Sequence, residues 1–450
     1  MVPAVARSWQ VLDGGRRYLF HLRDDVAWTD GTLVTAGDFE WAWKRNLAPA
    51  LHSGTAAFLL DVLGAREYHE GVNHDPGCVG VRALDGLTLE VRLEQPVAYF
   101  PFIVTMPVTF PLPGKIVEGF GEAWWQPGTI VSNGPYRLQK FDPQHGVVLA
   151  RNTGYYGLFP GNAEQVEWTI FPDDEKMSQA YLEGRIESAM YANRKVPEGI
   201  PREEIHENQI LGVSFLVFSP NEAPFNDVRV RKAFGLSFNR ERFLDQFGVP
   251  ICRGGLVPPG MPGHSPDINL PYDVALALRL MSEAGYPGGQ GFPAVKGIGP
   301  RGGAARFAEV VHQWREALGV EIVLAETDLG DLTGWKKEHV AHKLAVNGWQ
   351  ADYPDPDNFL RQSDAISQLK RLGWQDAAYD RLVEEASRTP DRAKRLAMYR
   401  QADRLLVAEQ ALVLPIFYSR EINIFRPSVK NYRGNLLGII NLHKLIVFDH

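Results

Sequence analysis

Cysteine is nearly missing from this chain of 450 residues: Cys78 and Cys252 are the whole supply. They lie far apart, both are expected as free thiols, and a disulfide-stapled scaffold is excluded. The redox compartment stays open, because exported proteins and cytosolic enzymes alike are made with little cysteine. No apolar run approaches the roughly 20 residues of a membrane helix. The opening residues, Met1-Val-Pro-Ala-Val-Ala-Arg-Ser-Trp9, have neither the basic nor the apolar stretch of a secretory signal. Charge of one sign is also scarce. The formal net charge is −7 with no long run in either half, so the basic patch that nucleic acid or a membrane surface requires is lacking.

Signatures of catalysis are equally thin. There is no G-x-S-x-G elbow and no P-loop Lys-Ser/Thr. Gly297-Ile-Gly-Pro-Arg-Gly302 spells a dinucleotide-binding fingerprint, with Glu326 where a ribose-binding acid would fall. Pro300 and the long approach from Gly288 do not suit a tight strand-to-helix turn, so cofactor binding is not expected there. His339 and His342 follow Glu338 without the H-E-x-x-H order or a third ligand. His69 and His74, near Glu67, Glu70 and Asp75, read as a polar loop. No nucleophile, base and oxyanion site assembles, and no metal or cofactor is expected.

Apolar side chain is plentiful, at 45% of residues, and the length calls for about two to four domains. Tyr18-Leu-Phe-His-Leu-Arg23 alternates after an Asp13-Gly-Gly turn, which predicts a hairpin. Thr35 and Asp38 have capping-box spacing and open a helix running to Leu47. Leu87–Leu93 and Gly146–Arg151 read as further strands, and Asn133-Gly-Pro-Tyr136 as a turn into one. From about residue 224 the texture changes. Helical patterns at Val228–Phe238, Val274–Ala284 and Ala304–Leu318 alternate with apolar strands such as Glu321–Ala325, an α/β arrangement with a partly parallel sheet. Strand-like runs return at Ala411–Phe417 and Lys444–Phe448.

A series of blocks then carries more than any one of them. It comprises Ala6-Arg-Ser-Trp9, Tyr18-Leu-Phe-His-Leu-Arg-Asp24, Val26-Ala-Trp-Thr-Asp-Gly-Thr32 and Val34-Thr-Ala-Gly-Asp-Phe39 with Trp43-Lys-Arg45. Next come Val131-Ser-Asn-Gly-Pro-Tyr136, Pro224-Phe-Asn-Asp-Val-Arg-Val-Arg-Lys-Ala233 and Asn239-Arg240. Gly348-Trp-Gln-Ala-Asp-Tyr-Pro-Asp-Pro356 and Pro415-Ile-Phe-Tyr418 complete it. In order and spacing this series resembles the family 5 extracellular solute-binding proteins, the oligopeptide- and dipeptide-binding group of ABC transporters. Most blocks also have a structural reading. Trp9 and Trp28 suit a core, and Asp227 with Arg229, Arg231 and Lys232 suits a helix start.

The resemblance implies an α/β fold, a class II clamshell like the periplasmic binding proteins, with two major lobes on a two-strand hinge and a smaller extra lobe. Residues 1–119 would form the small lobe, 120–212 with 421–450 the first major lobe, and 213–420 the second, with crossings near Gly212 and Arg420. It implies a non-enzymatic importer component, periplasmic or on the cell surface, that closes on short peptides and passes them to the transmembrane subunits of an ABC permease. A monomer is expected, peripheral to the membrane through the permease or a lipid anchor, with no nucleic-acid partner. Compared with the family, the chain is expected to lack a signal and a further leading segment.

By the same resemblance, Asp352 stands where peptide-binding members present an aspartate to the peptide α-ammonium, with Trp349, Gln350 and Tyr353 around it. The alternative is that Asp352 caps the Tyr-Pro-Asp-Pro turn. Trp335 and Tyr353 are candidates for stacking on a sugar. Two other functions remain open: the sensing domain of a bacterial transcriptional regulator, and import of a saccharide, opine or nickel chelate.

Overall fold

The computed structural model describes residues 2–192, 196, 198–300, 304–327 and 342–448. The chain divides into two compact units, Met1–Ala189 with Phe425–Arg433 and Ile440–His450, and Met190–Ile424 with Gly434–Ile439. The backbone passes between them after residues 189, 424, 433 and 439.

In the first unit the predicted hairpin forms from β1 (Ala6–Leu12) and β2 (Arg17–Leu22), antiparallel with Trp9 opposite Phe20. Asp13, Gly14 and Gly15, at φ 52°, 64° and 94°, make the connecting turn left-handed, which the two glycines permit without strain. Together with β3 (Val81–Ala83) and β4 (Thr88–Arg92) the pair makes a sheet of order β1-β2-β4-β3. Alternation puts Tyr18, Phe20 and Leu22 of β2 inside. The helix Ala36–Leu47 buries Ala42, Trp43 and Leu47. Its start is the expected capping box, with the Asp38 carboxylate accepting from Thr35 N–H at 2.7 Å. Trp28 is core, packed with Val26 and Val34. A second antiparallel sheet holds β5 (Tyr136–Asp142), β6 (Gly146–Arg151) and β7 (Gln165–Thr169).

The second unit is built on a six-stranded mixed sheet of order β11-β10-β12-β9-β13-β8. Its strands are β8 (Ser188–Ala192), β9 (Ile205–Phe218), β10 (Val295–Pro300), β11 (Ile322–Thr327), β12 (Leu344–Gln350) and β13 (Val413–Phe425). β10 runs parallel to β11 and β12, whereas β9 is antiparallel to both β12 and β13. Helices cover both faces, so β9 is apolar on both. Leu211, Val213, Phe215 and Val217 enter a core with Phe359, Tyr379, Tyr399 and Leu406. Leu216 and Phe218 enter the other, with Phe234, Trp314 and Leu344. The helix Ala304–Leu318 has the bounds its pattern predicted, and the helix after Asp227 runs Val228–Leu236 with the Asp227 carboxylate capping Arg229 N–H.

Gly297 and Gly299 lie inside β10, not in a phosphate-binding turn. A Cβ on Gly297 would come within 2.5 Å of the Leu324 side chain, so close strand packing accounts for the glycine. Cys78 and Cys252 are free thiols, and burial pushes the Cys252 thiol up to about 12.

Asp403, 1% exposed on the helix Arg392–Arg404, accepts from Leu256 N–H at 2.9 Å and Val257 N–H at 3.3 Å. A Cβ on Gly255 would lie 2.2 Å from that carboxylate, so only glycine admits the approach. Burial pushes the Asp403 carboxyl up to about 6. The folded chain therefore holds this proton at a pH where the unfolded chain, with an ordinary aspartate near pH ~4, has lost it. Stability from this group should fall as pH rises from about 4 to 6. Asp403→Asn is expected to flatten that part of the thermal midpoint's pH dependence, and an unchanged slope in scanning calorimetry would refute it.

Candidate functional site

The site lies in the second unit, where β12 ends. β12 pairs with β9 through Trp349 opposite Val213 and Gln350 opposite Gly212, and Ala351 N–H extends the ladder to Leu211 C=O at 2.7 Å. Gly212 is needed here, because a Cβ would sit 2.8 Å from Ser419 Oγ. Pleating turns Trp349 and Ala351 toward the core, leaving Gly348, Gln350 and Asp352 exposed on the outer side. Toward β10, Leu344 and Ala345 of β12 pair with Gly297 and Ile298. Among the described residues no strand lies beside Gly348–Gln350 on that edge, and Gly348 N–H donates to Asn347 Oδ1 at 2.8 Å. Gln350 Nε2 donates to Leu437 C=O at 3.2 Å, which ties the segment Gly434–Ile439 to the same face.

After Ala351 the chain leaves the sheet over a buried polar network. Asn358, 0% exposed, accepts from Trp349 Nε1 at 2.8 Å and from Asp352 N–H at 3.1 Å, and donates through Nδ2 to Asp352 Oδ2 at 3.0 Å. Asp355, not Asp352, caps the Tyr-Pro-Asp-Pro turn by accepting from Asp357 N–H at 3.1 Å. Asp355 also pairs with Arg395 at 2.7 Å. Asp357 accepts from the hydroxyls of Tyr353 and Tyr399, each at 3.0 Å, and from Arg361 Nε. Burial raises the Asp355 carboxyl while Arg395 pulls it down, and the Tyr353 and Tyr399 hydroxyls are held well above the usual phenol range.

Asp352 differs from these aspartates in reaching solvent without a cation. It forms no ion pair with any described residue. Partial desolvation pushes its carboxyl above the ordinary range, the Asn358 amide pulls it back, and the Asp364 carboxylate pushes it up again. The arrangement is a carboxylate beside a strand edge that no described strand covers, able to receive a positive group and a backbone together.

Of the residues singled out from sequence, Asp352, Trp349 and Gln350 come together here. Trp349 is partly buried and fixed through its indole N–H. Tyr353 does not face the site. It is 1% exposed and donates inward to Asp357, on the same buried side as Trp349 and Ala351. Trp335 lies outside the described residues, as does His339. Asn358 escaped the sequence reading. Its only signal is an amide set among acidic and apolar residues in Asp357-Asn-Phe-Leu360. Among the described residues no group of three metal-ligating side chains occurs. The first unit contains a separate apolar cavity of about 440 Å³ lined by Trp9, Phe20, Phe39, Trp43 and Tyr156.

This fold and site define a binding protein class, and comparison with known proteins agrees. Residues 1–368 match the bacterial extracellular solute-binding proteins, family 5 Middle, and the chain belongs to that family. It is 30% identical over 457 residues to the periplasmic oligopeptide-binding protein OppA of Escherichia coli, covering 96% of this chain and 82% of that one. It is 29% identical over 452 residues to the probable deoxycholate-binding periplasmic protein YgiS of the same organism, with the same coverage. A periplasmic oligopeptide-binding protein of Borrelia burgdorferi superposes with a TM-score of 0.84 at 24% identity, covering 99% of this chain and 91% of that chain. The α/β periplasmic-binding-protein fold expected from the sequence is therefore the fold found.

The Arg395–Asp355 pair supports the site from below, with Asp355 only 2% exposed. Arg395→Ala strands that carboxylate, and a loss of about 3–5 kcal/mol is expected. Denaturant unfolding of the purified protein measures it, and a change under ~1 kcal/mol would contradict a supporting role.

Proposed function

We propose that this protein is the extracytoplasmic solute-binding component of an ABC importer and that it captures short peptides. The observation that carries the reading is the exposed carboxylate of Asp352, with no ion pair among the described residues, beside the edge of β12 at Gly348–Gln350, which no described strand covers. A peptide offers what these two features lack. Its α-ammonium meets Asp352, and its backbone adds to the strand edge, an interaction indifferent to side-chain sequence. Trp349 and Gln350 flank the amine position, while Tyr353 supports it from the core. Family membership and the oligopeptide-binding relative favour the same ligand class.

The remaining assignments follow from this reading. The protein binds without transforming its ligand and delivers it to the transmembrane subunits of a permease. It acts as a monomer outside the cytoplasm, peripheral to the membrane. The lobes are residues 1–119, 120–212 with 421–450, and 213–420, and hinge closure encloses the peptide. A bile-acid anion, of the kind for which the 29% identical relative is named, would meet an uncompensated negative charge at Asp352.

Native mass spectrometry of the purified protein, followed by denaturing release and sequencing of what it carries, tests the proposal. A set of short peptides is expected. Binding should also fall on acidification, because Asp352 accepts a cation only when ionised and its carboxyl titrates above the usual range. Asp352→Asn is expected to weaken tri-alanine binding at least about tenfold, the loss of a charge-assisted contact, and to abolish the acid limb. An empty protein with no thermal shift for tri- to pentapeptides would sink the assignment.

A further inference from the structure

Asn358 has no solvent exposure and lies directly beneath the carboxylate to which the peptide reading assigns the ligand amine. A side-chain amide can in principle face either way, but here its partners decide. The Trp349 indole N–H and the Asp352 backbone N–H only donate, and both point at one end of the amide, at 2.8 and 3.1 Å. That end must be the carbonyl oxygen. The NH₂ group is thereby fixed toward Asp352 Oδ2, 3.0 Å away. Flipping the amide would set two donors against a third and leave the carboxylate facing an oxygen.

Building on the peptide reading, we propose that Asn358 is the positioning residue of the amine site: it holds Oδ2 of Asp352 within the protein and leaves Oδ1 to face one incoming ammonium. The geometry also narrows the class of cation. A guanidinium binds best to both oxygens of a carboxylate through its planar fork, whereas an ammonium is a point charge satisfied by one. With Oδ2 already engaged, the site suits the ammonium. Asn358 also favours ionisation of Asp352, ahead of the Asp352 backbone N–H, which acts in the same direction. Asp364, at the start of the helix Asp364–Arg371, is the charged side chain that bears on Asp352, and it opposes ionisation. From β9 and the Gly434–Ile439 segment no charged side chain pairs with Asp352 among the described residues. The amide works against both burial and Asp364.

The decisive variant is Asn358→Asp. It keeps the shape and the acceptor for Trp349 and the Asp352 N–H, but replaces the one donor with a second carboxylate oxygen. In the full, unliganded chain carrying ¹³Cγ-labelled aspartate, the Asp352 signal is assigned by its disappearance in Asp352→Asn. Its titration midpoint is expected to rise by at least about one pH unit in Asn358→Asp, and to rise also in Asn358→Ala. The acid limb of tri-alanine binding should move by the same amount. An Asp352 midpoint unchanged in both variants overturns the proposal, as does a loss of affinity equal at every pH, the mark of a merely loosened loop. A raised midpoint in a protein that ignores tri-alanine upholds the role of Asn358 and rejects the peptide reading instead.

Discussion

Everything at the site depends on the register between β9 and β12. The ladder that sets Trp349 opposite Val213 and carries on through Ala351 N–H to Leu211 C=O decides which residues face the core. A slip of one residue would turn Gln350 and Asp352 inward and push Trp349 and Ala351 into water. The register is strongly specified because β9 is apolar on both faces, with Phe215 in one core and Phe218 in the other. A misaligned β9 would expose apolar surface on both sides, at about 25 cal/mol per Å². The energy that positions the carboxylate thus resides in apolar packing well away from it.

A second constraint is electrostatic. Asp355, Asp357 and Asp403 are buried, and each is compensated in its own way: by an arginine, by two phenols and an arginine, and by two backbone N–H groups. Ionised groups survive burial on those terms and few others. Asp352 has the smallest internal compensation of this set and the greatest access to water. That contrast, more than the presence of an aspartate, distinguishes a group available to a ligand from groups that hold the loop together.

Much of the scaffold was legible in the sequence because it rests on local rules. The Thr35–Asp38 box, the Asp13-Gly-Gly hairpin and the helix Ala304–Leu318 follow from spacing and turn chemistry, and the structure contains each of them. The glycines at 297 and 299, which spell a cofactor fingerprint in the sequence, lie within a strand. Asp352 was legible only through family resemblance. The resemblance also places Tyr353 beside the ligand, but the alternation that turns Trp349 and Ala351 inward turns Tyr353 inward too, onto Asp357. Asn358 was invisible for a different reason: its role depends on three partners converging from β12 and the following turn, and no local pattern encodes that meeting.

An open strand edge is a hazard to any protein that leaves it bare, since the edge of another copy fits it as well as a ligand does. At the edge of β12, Asn347 bends back and occupies the N–H of Gly348. The side chain thereby blocks one donor of the edge. While the protein is empty it removes one of the donors through which neighbouring chains would zip together. A backbone adding to this edge, as proposed for a peptide, would displace it, and the side chain would return when that backbone left. Solubility of the empty state and turnover of the loaded one would then share a single carboxamide.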